Sequence, residues 1–193
     1  MHMAEHTEAA DRYVKLASRH FAERGYTGVS LAAIAREAKV TKQALLHFFG
    51  TKERLYAAVL SALATRLCTE IDELPGERAE DRLMHYFERQ GVGSLQDARL
   101  VIRALLESDE TAKIWPLKPY LDKLVVLALQ TERWQGAAQE EVLAGLYQLI
   151  GASQYFSIST PTLSGMYGTG AMEALHQHTR QNAKEAVASF LGR

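Results

Sequence analysis

Apolar residues return every three to four positions along almost the whole chain, and strict strand-like alternation persists nowhere. Between residues 7 and 25, Ala10, Tyr13, Val14, Ala17 and Phe21 share one face with charges opposite. This predicts a helix capped by Thr7 and stopped by Gly25. Ser30 can cap a second, short helix through Ala38, with Leu31, Ile34 and Ala35 inward. Thr41 can cap a third that ends near Phe49, with Val40, Leu45 and Phe49 inward. Only Lys39 and Val40 separate these two helices, so they must cross steeply. Gly50-Thr51 interrupts the pattern again. Thr51 then caps a long helix with Leu55, Ala58, Val59, Ala62 and Leu63 in register, stopped by Pro75-Gly76. Further helices are predicted at about 78–91, 95–108, 116–134, 138–158 and 170–191, with one long irregular loop over 159–170. The fold class is all-α: a small three-helix head at residues 7–55 and a helical body at 56–193.

Composition agrees with uninterrupted helices, since 193 residues contain only 4 prolines and 13 glycines. The net charge of −1 selects no partner, but its distribution is uneven. The first 55 residues hold nine Lys and Arg against six Asp and Glu, or +3. The remainder hold thirteen against seventeen, or −4. A basic head on an acidic body suits a protein that meets a polyanion at one end. The single cysteine, Cys68, excludes an intrachain disulfide and a cysteine-built zinc site. His176 and His178 stand two apart, on different sides of a helix, and His20, His47 and His85 lie on separate elements. No metal or cofactor is expected. No Ser/His/Asp constellation, glycine-rich phosphate loop or carboxylate pair argues for an enzyme. No apolar run reaches the roughly 18 residues of a membrane span, and the start shows no signal-peptide pattern, so a cytoplasmic protein is expected. Met1-His2-Met3 has the look of an expression scar.

The candidate chemistry lies at the start of the third helix. In a helix-turn-helix the second helix enters the major groove and the first crosses the backbone. Here the exposed leading positions are Thr41, Lys42, Gln43 and Ala44. Lys42 can donate to guanine, Gln43 can pair with adenine through two hydrogen bonds, and the Ala44 methyl can pack on a thymine methyl. His47 and Phe48 face out near the groove wall. Lys52, in the first turn of the next helix, can clamp a phosphate together with that helix's free N–H groups.

Phe21 through Glu53 closely resembles the DNA-binding domain of TetR-family regulators. Gly25-Tyr26, Ser30-x-x-x-Ile34-Ala35, Val40-Thr41-Lys42 and Phe49-x-x-Lys52-Glu53 all fall at that family's spacing. The resemblance implies a homodimeric transcriptional regulator, a repressor bound to double-stranded operator DNA and released by a small ligand that the sequence does not identify. It places Ser30 and Lys52 at phosphates, Lys42, Gln43 and Ala44 at bases, and His47 at base or backbone. Two positions depart from the family pattern. Lys39 stands where glycine is usual in the turn. If that position needs positive φ, lysine costs roughly 1 kcal/mol, which a phosphate contact from its ammonium can offset. Leu46 stands where a tyrosine hydroxyl usually meets phosphate.

The resemblance makes residues 56–193 a ligand-binding and dimerisation domain. Candidate pocket residues are the large side chains of its middle helices, Met84, Phe87, Leu105, Trp115, Leu127, Trp134 and Tyr155. Arg103, four before Glu107, is a candidate polar handle. The last two helices have broad apolar faces, and small residues such as Gly145 and Gly151 would let another helix approach. The family pairs these helices with their twofold mates. Leu146, Leu149, Ile150, Ser153, Met172, Leu175, Thr179 and Ala183 are the interface candidates. The alternative is a body that binds a protein partner and no small molecule.

Overall fold

The computed structural model describes residues 2–90, 94–107 and 117–193. Its helices are α1 (His2–Gly28), α2 (Leu31–Glu37), α3 (Lys42–Phe49), α4 (Lys52–Asp72), α5 (Ala79–Gln90), α6 (Leu95–Leu106), α7 (Lys118–Leu129), α8 (Gln139–Tyr167) and α9 (Thr169–Phe190). No strand occurs among the described residues. The chain forms two compact units, one of residues 1–66 with 99–118, the other of 67–98 with 119–193. This division differs from the one expected at 55/56. Leu55, Val59 and Leu63, buried along α4, fall with the first unit.

In the first unit, Phe21, Ile34, Leu45 and Leu55 contribute one fully buried side chain from each of α1 to α4. Burial on this scale is worth about 1.5–3 kcal/mol per side chain. Glu37, at the end of α2, fastens that helix to α1. Its carboxylate pairs with Arg19 and lies 2.7 Å from Nε2 of the buried His20. α1 already begins at His2, so Thr7 lies inside the helix and does not cap its start. Glu8 puts an acidic charge near the positive end of the helix dipole.

Gly25 breaks α1 as the sequence predicts, at φ +69°. A continuous helix would carry a hydrogen bond from Tyr26 N–H to the Ala22 carbonyl. The break opens that rung, and Arg103 of α6 together with Glu107, just past its end, fills both halves of it. Glu107 Oε1 accepts from Tyr26 N–H at 2.8 Å, and Arg103 Nε donates to the Ala22 carbonyl at 2.9 Å. Arg103 also donates to the Glu23 carbonyl at 2.7 Å.

In the second unit, Leu83, Leu124, Val142, Leu146 and Val187 are buried. Two buried phenols, Tyr86 and Tyr120, satisfy each other at 2.5 Å. α8 and α9 approach closely at Gly145, where a Cβ would stand 2.6 Å from the Phe190 ring. That small residue therefore serves a contact within the chain.

Two helix boundaries differ from the sequence reading. α7 stops at Leu129 and does not reach 134. The N–H groups of Gln130 and Thr131 bond three residues back, and the buried Thr131 hydroxyl takes the Ala128 carbonyl at 2.6 Å. α8 runs straight through the stretch expected to be a loop and ends only at Gly168, φ +80°. The hydroxyls of Ser157, Ser159 and Thr160 donate to carbonyls three or four residues back, so they follow the helix and do not compete with it. Pro161 removes one rung without stopping the helix.

Candidate nucleic-acid interface

α2 ends in a Schellman motif. Lys39 N–H donates to the Arg36 carbonyl at 3.1 Å and Val40 N–H to the Ala35 carbonyl at 2.9 Å. The motif needs a left-handed residue, and Lys39 adopts φ +59°. The condition attached to the missing glycine is therefore met. Thr41 then takes an extended conformation and caps α3, its hydroxyl accepting from Ala44 N–H at 3.0 Å.

The cap and the buried Leu45 fix the rotation of α3. Thr41, Lys42, Gln43 and His47 stand exposed, and Ala44 and Leu46 are half-buried beside them. Ser30, at the start of α2, is exposed, and its hydroxyl caps no N–H of its own helix. Lys39 is exposed on the same turn that leads into α3. Phe48 does not face out. Its ring stacks on His6 at 4.4 Å and meets the edge of Tyr13 at 5.0 Å, so it packs within the head. Aromatic surface of that size gains more from ring contacts than from water.

Thr51 caps α4 by accepting from Arg54 N–H at 3.2 Å. Lys52 lies in the first turn with its ammonium 4.5 Å from the Tyr26 ring centre. The same tyrosine donates its hydroxyl to Glu53 at 2.6 Å. That bond, together with backbone N–H and Thr51 donors, holds the Glu53 carboxyl down at about 2. Burial and the neighbouring carboxylate push the Tyr26 phenol up to about 12. Tyr26 thus orients two charged side chains at the head of α4. The sequence reading did not assign it this role, although the Gly25-Tyr26 pair was the available signal.

The body candidates are not brought to one place. Met84 and Phe87 line a hollow of the second unit. Arg103 is in the other unit and spends its guanidinium on α1 carbonyls, so it is no pocket handle. Leu105 is 48% exposed and Tyr155 71% exposed. Leu127 is buried, and Trp134 donates its indole N–H to the Phe190 carbonyl at 2.8 Å. Trp115 lies outside the described residues. Of the interface candidates, Leu146 and Met172 are buried within their own chain. Leu149, Ser153, Thr179 and Ala183 line a second hollow, Ile150 is half-buried, and Leu175 is exposed. The exposed apolar positions of α8 instead repeat four apart: Leu143, Tyr147 and Tyr155, with Gly151 between them facing open space. Sequence periodicity marks an apolar face broadly and cannot say which edge of it a neighbouring helix of the same chain covers.

Among the described residues no group of His, Cys, Asp and Glu is placed to hold a metal, and no helix is long and apolar enough to cross a membrane.

A capped short helix, a left-handed turn and a second helix with a polar exposed tip define a helix-turn-helix protein. Residues 14–59 match the model of the family described as bacterial regulatory proteins, tetR family. An HTH-type transcriptional repressor of Mycobacterium tuberculosis and an HTH-type transcriptional regulator of Mycobacterium bovis are each 31% identical over 118 residues. That is 61% of this chain and 57% of theirs, so the match spans little more than half of those relatives. The fatty acid degradation regulator FadR of Bacillus halodurans superposes with a TM-score of 0.68 at 19% identity, covering 90% of this chain and 97% of that one. A tetR-family transcriptional regulator of Streptomyces coelicolor gives 0.65 at 18% identity, covering 95% and 79%. At such identities the likeness is one of fold.

Proposed function

We propose that this chain is a DNA-binding transcriptional regulator, a homodimeric repressor that a small ligand releases from its operator. The observation that carries the reading is the tip of α3. Lys42, Gln43 and His47 are exposed together while Leu45, in the middle of the same helix, is fully buried. A helix that only packed would have no reason to display base-reading side chains on one capped end. The free Ser30 hydroxyl and the Lys52 ammonium supply phosphate contacts on either side.

The dimer is supported by the exposed stripe of Leu143, Tyr147 and Tyr155 on α8, with Gly151 leaving room for close approach. Contiguous exposed apolar surface marks an interface. Hollows of about 200 and 240 Å³ in the second unit support a small ligand over a protein partner for the body. Release requires the ligand to bind two conformations with different affinity.

The test is fluorescence anisotropy on duplex DNA from upstream of the chain's own gene, across a salt series. Specific binding whose logarithm falls linearly with log salt is expected. Absence of sequence-specific binding at every salt concentration below about 100 mM overturns the reading.

A further inference from the structure

The Lys52 ammonium lies 4.5 Å from the centre of the Tyr26 ring. A lysine ends a flexible four-carbon stem, and one already seated loses less freedom when it meets a phosphate. The seat therefore matters for affinity, and it depends on where the Tyr26 ring stands. Glu53, the next residue, would draw the ammonium away from a phosphate. Its carboxylate is instead taken by the Tyr26 hydroxyl at 2.6 Å. One tyrosine thus holds the cation and occupies the competing anion.

Tyr26 follows the break at Gly25, and its N–H finds its acceptor outside its own helix, in Glu107 Oε1 at 2.8 Å. Arg103 holds the other side of the break through the carbonyls of Ala22 and Glu23, at 2.9 and 2.7 Å. Hydrogen bonds with one charged partner are the stronger kind. The fit is close: a Cβ at Gly25 would stand 3.0 Å from the Arg103 guanidinium and 3.2 Å from the Glu107 carboxylate. The Tyr26 ring then packs 5.3 Å from Tyr56 and 6.3 Å from Phe21. All of these contacts lie within the first unit. Loss of either clamp residue frees the backbone from which the ring hangs.

We propose that Glu107 and Arg103 are positioning residues for DNA binding: by clamping the break in α1 they set the Tyr26 ring, which presents the Lys52 ammonium to a phosphate. The inference rests on the phosphate role given to Lys52 above and adds two residues that act on it at one remove.

The test uses the full chain. Reductive methylation with isotope-labelled formaldehyde keeps each lysine charged and gives it an NMR signal of its own. Without DNA, the Lys52 signal, identified by its loss in Lys52→Arg, is expected upfield of the other lysines because it lies over an aromatic face. Glu107→Leu should return it to the rest. Glu107→Gln, which keeps an acceptor oxygen, should hold it upfield. If Glu107→Leu does not fold, Arg103→Met breaks the other half of the clamp and should move the same signal. On duplex DNA, Glu107→Leu should weaken every sequence alike by about two- to tenfold, and by nothing further once Lys52→Ala is present. A Lys52 signal with no ring shift overturns the proposal, as does one that neither clamp variant moves. Losses that simply multiply in the double variant also overturn it, and specific DNA binding then leaves the regulator reading standing. If the signal behaves as expected but no DNA is bound, the clamp on Lys52 stands and the regulator reading fails.

Discussion

Lys39 holds a left-handed backbone at φ +59°, a conformation that costs an L-residue with a Cβ about 1 kcal/mol more than glycine. Lys39→Gly should therefore raise unfolding free energy by about 1 kcal/mol in a denaturant titration. If its ammonium meets a phosphate, the same change should lower operator affinity and reduce the salt slope by about 0.9. Unchanged stability would mean that the turn relaxes elsewhere. Glu53 makes a second prediction at this scale. Its carboxyl is held at about 2 in the folded chain, below its ordinary 4.5, chiefly by the Tyr26 hydroxyl. A depressed acid stabilises the fold fully above pH 4.5, and the contribution disappears as pH falls towards 2. Tyr26→Phe should therefore destabilise the chain at pH 7, with a difference from the unaltered protein that shrinks between pH 4.5 and 2 in chemical unfolding.

At the scale of the element, the proposed function divides α3 into anchoring and base-reading residues. Leu45→Ala should cost about 2–5 kcal/mol, because Leu45 is 1% exposed and its loss leaves a cavity under the helix. Gln43→Ala should leave stability within about 0.5 kcal/mol and relax preference at one base pair. Lys52→Ala should weaken all sequences alike and flatten the salt slope by about 1. Identical behaviour of the last two would undo the division between base and phosphate contacts. The broken rung of α1 is a second element-scale device. Arg103 supplies the donor and Glu107 the acceptor that Gly25 takes away. Arg103→Met and Glu107→Gln should be non-additive in a double-mutant cycle, since both stabilise the same turn.

At the scale of the molecule, the proposed dimer would have to set two heads on half-sites about 34–36 Å apart. The apolar stripe on α8 is the surface that would set this spacing. Tyr147→Glu, at a position 51% exposed, should leave the monomer folded, shift sedimentation from dimer to monomer and lower operator affinity. A monomeric unaltered chain would remove the basis for this prediction.

The head was legible because its signals are local. The Thr41 cap of α3, the buried Ile34 and Leu45, and a turn of two residues fix α2 and α3 within 20 residues of sequence, and backbone geometry does the rest. Length and periodicity likewise foretold an all-helical chain. What needed tertiary structure were choices between neighbours that sequence periodicity treats as equal. Phe48 turned inward because His6 and Tyr13, far along the chain, offered ring faces. Arg103 left its expected pocket because a helix break some 80 residues earlier exposed carbonyls. Leu146 was buried by its own chain while Tyr147, one residue on, was left open. Periodicity says that a face is apolar, but only packing between distant segments decides what covers it.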